Sequence, residues 1–171
     1  MRFDKIVIEG PNNVGKSTLI KAIQKMFPDY EVEHVTEKCP NTYSFYNSLL
    51  CTEEPMIFDR LHLGEMVYPG LYGRESNLTG DEFVELCRNH GDHTLIVLLD
   101  ADYDFMVRAC EKKNEYFDFP VVEEEKLRFY ELGQQMMKMK GCNLNFIKLK
   151  NHWDEETKSL IVGKVVGAIC G

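Results

Sequence analysis

In the stretch Gly10-Pro11-Asn12-Asn13-Val14-Gly15-Lys16-Ser17-Thr18 the first eight residues satisfy the spacing G-x-x-x-x-G-K-[ST]. They lie between a short apolar run, Lys5-Ile6-Val7-Ile8-Glu9, and an amphipathic segment. Backbone N–H groups of a glycine-rich turn at a helix N-terminus form a concave anion site, and the helix dipole adds partial positive charge. At this spacing Lys16 reaches the outer phosphates of a bound nucleoside triphosphate. The backbone from Asn12 through Val14, Gly15 and Thr18 cradles the phosphates, and the Ser17 hydroxyl ligates Mg²⁺. Pro11 stiffens the turn, while Asn12 and Asn13 tolerate the unusual φ values such loops demand. Thr18 reads equally well as a second hydroxyl near the α-phosphate and as an early helix residue.

A second group follows the apolar run Pro55-Met56-Ile57-Phe58, which ends at Asp59-Arg60. A carboxylate there can hold Mg²⁺ through water or accept a proton from an attacking hydroxyl, and a guanidinium matches the negative charge of a transferring phosphoryl group. Capping of the next helix is the structural alternative for Asp59. Asp100 ends another apolar run, where capping or a turn in Asp100-Ala101-Asp102 explains it at least as well as a metal role. Basic residues gather locally at Arg108-Ala109-Cys110-Glu111-Lys112-Lys113. Arg108 and Lys112 are also spaced as an exposed i,i+4 pair on a helix face.

Alternating strand-length apolar runs and helical patterns must position these groups. Strands are predicted at Lys5–Glu9, Glu31–Thr36, Pro55–Phe58, Thr94–Leu99 and Asn145–Leu149. Thr94–Leu99 is apolar throughout, as a central parallel strand covered on both faces should be. Helices are predicted at Lys16–Met26, Thr79–His90 with a Thr79-x-x-Glu82 capping box, Tyr103–Lys113 capped by Asp102, Glu123–Lys140 closed by Gly141, and from an Asp154 cap toward Ile169. Such alternation implies right-handed crossovers, hence an α/β fold: a three-layer α/β/α sandwich on a five-stranded parallel sheet. Ligands in such sheets sit at the carboxyl ends of the strands, where the glycine loop, Asp59, Arg60 and Asp100 all fall. With no linker or internal repeat, residues 1–171 are expected to form one domain.

Composition narrows the partners. A net charge of −8 over 171 residues argues against a standing nucleic-acid partner, which would need a basic footprint. No apolar run approaches the roughly 20 residues that cross a bilayer. Met1-Arg2-Phe3-Asp4 runs straight into the first strand and leaves no room for a signal peptide, so a cytoplasmic protein is expected. The six cysteines, Cys142 among them, form no C-x-x-C pair, and the five histidines show no metal-ligand spacing. The run Gln134-Gln135-Met136-Met137-Lys138-Met139 reads as adaptable apolar packing or as part of a homodimer face. His152 and Trp153 can staple the last helix or line a donor base.

The segment Asp59-Arg60-Leu61-His62-Leu63-Gly64-Glu65-Met66-Val67-Tyr68-Pro69-Gly70-Leu71-Tyr72-Gly73-Arg74 resembles the stretch after the third strand of thymidylate kinases. Those enzymes belong to the wider group of P-loop nucleoside and nucleoside monophosphate kinases. Only this segment and the glycine loop are specific; elsewhere the resemblance is one of order and spacing. It implies the P-loop NTPase fold, ATP and Mg²⁺ as cofactors, and a nucleoside or nucleotide acceptor. Carried over, Lys16 stabilises the transferring group, Ser17 and Asp59 serve the metal, and Arg60 serves the phosphates. Tyr68 and Arg74 lie at the acceptor, while Arg108, Lys112 and Lys113 form a short lid around residues 108–121. The arginine-glutamate-proline motif of thymidylate kinases is altered here to Val35-Thr36-Glu37-Lys38-Cys39-Pro40, which keeps Glu37 for the acceptor but lacks the arginine. Tyr43, Phe45 and Tyr46 follow, where a base-stacking platform would lie.

Two other readings stay open. A kinase acting on a polynucleotide or a modified DNA base fits the altered motif but not the acidic charge. A small GTPase-like switch would need an Asn-Lys-x-Asp base reader, and Lys150-Asn151-His152-Trp153-Asp154 does not supply it.

Overall fold

A computed structural model of the chain describes residues 3–139, 144–152 and 154–171. Among these residues five strands, β1 (Lys5–Glu9), β2 (Glu31–His34), β3 (Met56–Asp59), β4 (Thr94–Ala101) and β5 (Asn145–Asn151), form one sheet in the order β2-β3-β1-β4-β5. Every pairing is parallel, and β1 sits at the centre with Ile8 opposite both Asp59 and Val97. Among the described residues seven helices connect and cover the strands: α1 (Lys16–Met26), α2 (Tyr43–Leu50), α3 (His62–Tyr72), α4 (Gly80–His90), α5 (Tyr103–Lys113), α6 (Phe119–Lys138) and α7 (Glu155–Cys170). This is the α/β/α sandwich read from the sequence.

Alternation along the central strands creates two cores. Ile6, Ile8, Val97 and Leu99 point to one face, where they meet Leu19 and Ile23 of α1, Phe105 and Met106 of α5, and Ile161 and Val165 of α7. Val7, Phe58, Ile96 and Leu98 point to the other, against Tyr46, Leu63, Val67, Phe83, Leu86, Phe129, Leu132 and Met136. Because both faces are covered, the middles of β1 and β4 carry no polar alternation, which is why Ile6 to Ile8 and Leu95 to Leu99 are continuously apolar. Truncating a residue such as Ile8, which has no exposed surface, would cost roughly 2–5 kcal/mol in lost burial and cavity formation.

Element ends differ modestly from expectation. β4 and β5 each run two residues further, to Ala101 and Asn151, because they pair with one another over that length. β2 stops at His34, two residues early, since only Glu31 to His34 pair with β3. The aromatic segment after Pro40 is a helix, α2, capped by Thr42 accepting from Phe45 N. Thr79 and Glu82 form the expected capping box, and Asp154 caps α7 through Thr157 N. Asp102 does not cap α5: its carboxylate is taken by Lys150 and His152 at 2.5 Å each. α6 begins four residues before Glu123, with Pro120 in its first turn and Asp118 as cap. Gly141, Cys142 and Trp153 lie outside the described residues.

No described helix is long and apolar enough to cross a membrane. Met136 is buried in the second core, whereas Met137 is exposed.

Candidate active site

The phosphate loop turns out of β1 under tight constraint. Gly10 adopts φ +138°, and a Cβ there would stand 1.9 Å from the carbonyl oxygen of Leu99. Gly15 (φ +96°) caps α1 without any side-chain cap, and a Cβ on it would press on the Asn151 amide at 2.7 Å. Asn13 supplies the remaining left-handed residue at φ +61°, a conformation that Asn tolerates. Lys16 is only 6% exposed; its Nζ folds over the loop and donates to Gly10 O (2.9 Å) and Pro11 O (2.6 Å). Burial, then the Arg60 guanidinium, lowers its amine to about 7, against the pull of Glu9, Asp59 and Glu125. Both acceptors are neutral carbonyls, so a phosphate oxygen would satisfy this ammonium far better.

The carboxyl end of β3 faces this loop. Arg60 occupies the left-handed region at φ +72°, unusual for a side chain that is neither Asn nor Asp. That turn directs its guanidinium back to the loop, where Nη2 donates to Asn12 Oδ1 at 2.5 Å and the planar group lies 4.8 Å from the Tyr68 ring centre. One Asp59 oxygen, Oδ2, is 3.1 Å from His34 Nδ1, whereas Oδ1 is buried with no hydrogen-bond partner. Glu9, fully buried at the end of β1, accepts from Leu61 N (2.7 Å) and Gly64 N (3.0 Å) through Oε1. Its Oε2 is unpartnered, and burial raises the carboxyl above its ordinary range.

No group of three His, Cys, Asp or Glu able to hold a metal occurs among the described residues. Magnesium does not need one, because it binds through one or two protein oxygens and completes its octahedron with phosphates and water. Exposed Ser17 and the half-buried Asp59 line the same cavity, and Asp59 Oδ1 has the unmet acceptor capacity such an ion would use.

Two cavities meet here. The larger, about 1000 Å³, is lined by the phosphate loop, Asp59, Lys112, Lys113 and α7 from Glu155 to Val166. The smaller, about 530 Å³, is lined by Glu37, Asn41, Tyr46, Glu65, Tyr68 and Arg74. Three residues border both: Asn12, His34 and Arg60. At the smaller cavity Arg74 forms a fork with Glu65, Nη1 to Oε1 at 2.9 Å and Nη2 to Oε2 at 2.8 Å. On α6, Glu125 is 1% exposed and accepts on one oxygen from both Asn12 N (2.9 Å) and Tyr68 Oη (2.8 Å).

Most of the residues singled out from sequence converge. Asn12, Asn13, Gly15, Lys16, Ser17, Thr18, Asp59, Arg60, Lys112 and Lys113 line the larger cavity, and Glu37, Tyr68 and Arg74 the smaller. The Val14 side chain is buried beneath the loop, with its carbonyl accepting from Asn151 Nδ2 at 3.0 Å. Lys113 Nζ reaches Asn13 Oδ1 at 2.6 Å, so the end of α5 touches the loop directly. Tyr43 does not reach the smaller cavity; its hydroxyl donates to Glu85 on α4, and Tyr46 takes the lining position one helical turn on. Arg108 is exposed on α5 and borders neither cavity. Asp100 is held by Lys126 and borders neither cavity, whereas Asp59 lines the larger one.

Glu9, His34 and Glu125 escaped sequence reasoning. For Glu125 a signal existed: it shares a helix face with Phe129, Leu132 and Met136, at positions i, i+4, i+7 and i+11, where a carboxylate is out of place unless it has a task. His34 ends a short edge strand and carried no such mark.

No protein-family model and no curated protein matches the chain. Solved structures do. It is similar to the YorR protein of Bacillus subtilis in complex with phosphorylated GDP, at 18% identity over 95% of this chain and 96% of that one, with a TM-score of 0.72. It is similar to deoxyadenosine kinase of M. mycoides with bound dCTP, at 17% identity, 95% and 99% coverage and a TM-score of 0.62. A gluconokinase of Sinorhizobium meliloti 1021 aligns over 99% of this chain and 94% of that one, at 14% identity and a TM-score of 0.53. The chain therefore has the fold of the P-loop nucleotide and nucleoside kinases.

Proposed function

We propose that this chain is a phosphotransferase that passes the γ-phosphoryl group of Mg·ATP to a nucleoside or nucleoside monophosphate. The observation that carries the reading is the junction: a donor-sized cavity built on the phosphate loop and a cavity of about 530 Å³, ample for one nucleoside, share Asn12, His34 and Arg60. Lys16 and the loop N–H groups hold the donor phosphates, and Arg60 neutralises charge on the group in flight. Ser17 and Asp59 would hold Mg²⁺, which would supply neutralisation of the phosphate charge during transfer. Lys113, already beside Asn13, closes the donor side as part of a short lid over one domain, excluding water from the transfer.

The smaller cavity favours a neutral nucleoside over its monophosphate. Its two arginines are offset by Glu37 and Glu65, and Arg74 is already forked to Glu65. A phosphate on the acceptor would compete with these carboxylates for the guanidinium groups. A hydroxyl acceptor instead gains from a nearby carboxylate that can take its proton. Thymidylate specificity has no particular support, since the arginine before Glu37 is missing. The compact acceptor cavity also speaks against a polynucleotide. Incubation with labelled ATP and either deoxynucleosides or an oligonucleotide tests the class: label on the small molecule is expected, and label on the oligonucleotide alone would overturn it.

A further inference from the structure

His34 ends β2 beside the end of β3, and its Nδ1 lies 3.1 Å from Asp59 Oδ2. It is also one of three residues bordering both cavities, so it stands where donor and acceptor groups must meet. A carboxylate has two chemically equal oxygens, and a free rotor about its terminal torsion would present either of them. Here the symmetry is broken. His34 occupies Oδ2, and Oδ1 is left buried without a partner. An unpaired buried carboxylate oxygen is costly, and it is retained where a ligand is to satisfy it.

We propose that His34 is a positioning residue: by donating from Nδ1 to Oδ2 it fixes the Asp59 carboxylate so that Oδ1 faces the metal and transferring phosphoryl group. The inference rests on the phosphotransferase reading, and it adds a residue outside the phosphate loop and the Asp59-Arg60 pair. Outer partners that orient a ligating carboxylate typically control metal affinity and rate by about 10- to 100-fold. The imidazole itself is half exposed and packs in neither core cluster, so its removal should spare the fold.

The test uses three variants and two measurements. Asn places its amide nitrogen where Nδ1 of His stands, whereas Gln places it nearer Nε2. His34→Ala and His34→Gln should lose about tenfold in kcat with little change in KM for ATP or acceptor, while His34→Asn keeps most of the wild-type rate. Calorimetry of ATP binding with and without Mg²⁺ gives a readout independent of turnover. The gain in affinity that Mg²⁺ confers should shrink several-fold in His34→Ala and persist in His34→Asn. Unchanged kcat and Mg²⁺ gain in His34→Ala, or equal loss in the Asn and Ala variants, would overturn the proposal. If wild-type protein phosphorylates neither a nucleoside nor a nucleoside monophosphate, the phosphotransferase reading fails, and the Mg²⁺ gain alone then decides the role of His34.

Discussion

Arg60 donates to the side-chain oxygen of Asn12 at 2.5 Å, and this contact ties the end of β3 to the phosphate loop where the two cavities meet. The backbone is bent into a left-handed conformation to make it. Strain of this kind, of order 1–3 kcal/mol, persists where the surrounding structure demands the side chain's position. Two substitutions separate strain from chemistry. Arg60→Lys keeps a charge but loses the planar fork that spans Asn12 and the Tyr68 ring, so turnover should fall about 100-fold. Arg60→Gly relieves the strain as it removes the guanidinium, so thermal melting should move little while turnover collapses. A large drop in melting temperature would make Arg60 chiefly structural.

Lys16→Ala should abolish phosphoryl transfer. The amine is buried and bonded to the Gly10 and Pro11 carbonyls of its own loop, and burial disfavours its charge, so its loss should leave thermal stability near the wild-type value. Retained turnover in a steady-state assay would sink the role of the loop.

Glu125 separates acceptor loss from charge loss. Glu125→Ala leaves the Asn12 N–H without its acceptor and the Tyr68 hydroxyl with its long 3.5 Å contact to Gly10 O, a cost of about 1–3 kcal/mol for a buried group left unpaired. Glu125→Gln retains an oxygen that can accept from both and should be clearly milder in chemical denaturation. Equal destabilisation by the two would mean that the negative charge matters more than the two hydrogen bonds.

His62 predicts an acid-sensitive fold. It is wholly buried between Tyr46 and Phe83, and desolvation, with a smaller contribution from His90, lowers its pKa to about 3 from 6.5. The unfolded chain binds a proton on this residue below 6.5 and the folded chain does not until about 3. Its contribution is therefore fully present above 6.5 and is lost as pH falls through that window, by about 1.4 kcal/mol per pH unit. His62→Phe should flatten the stability curve by one proton between these limits. An unchanged slope would show that His62 is protonated in the fold.

How much of this was legible beforehand depended on the kind of signal. The sheet was readable because β1 and β4 are buried on both faces and so carry the unbroken apolar stretches Ile6 to Ile8 and Leu95 to Leu99. The loop was readable because phosphate geometry fixes four residues at set intervals. Strand ends at His34 and Ala101 were not, because pairing with a neighbour decides them, and a neighbour is a tertiary fact. Asp102 looked like a cap because local spacing allows it, yet Lys150 and His152 from the adjoining strand compete successfully for its carboxylate. Tyr43 and Tyr46 are three residues apart in one aromatic stretch, and only the orientation of α2 determines that Tyr46 lines the cavity. Glu125 was concealed among three consecutive glutamates, although its helical phase marked it.

The central claim is that a neutral nucleoside occupies the cavity bounded by Glu37, Tyr68 and the Glu65–Arg74 pair. The most direct measurement supplies γ-labelled ATP and Mg²⁺ with each deoxynucleoside and, separately, its 5′-monophosphate, then identifies the labelled product. The predicted result is label on the 5′-hydroxyl of at least one nucleoside, with kcat/KM above that for the matching monophosphate and lost in Asp59→Asn. Label appearing only on monophosphates, or only as free phosphate whichever acceptor is present, would contradict it.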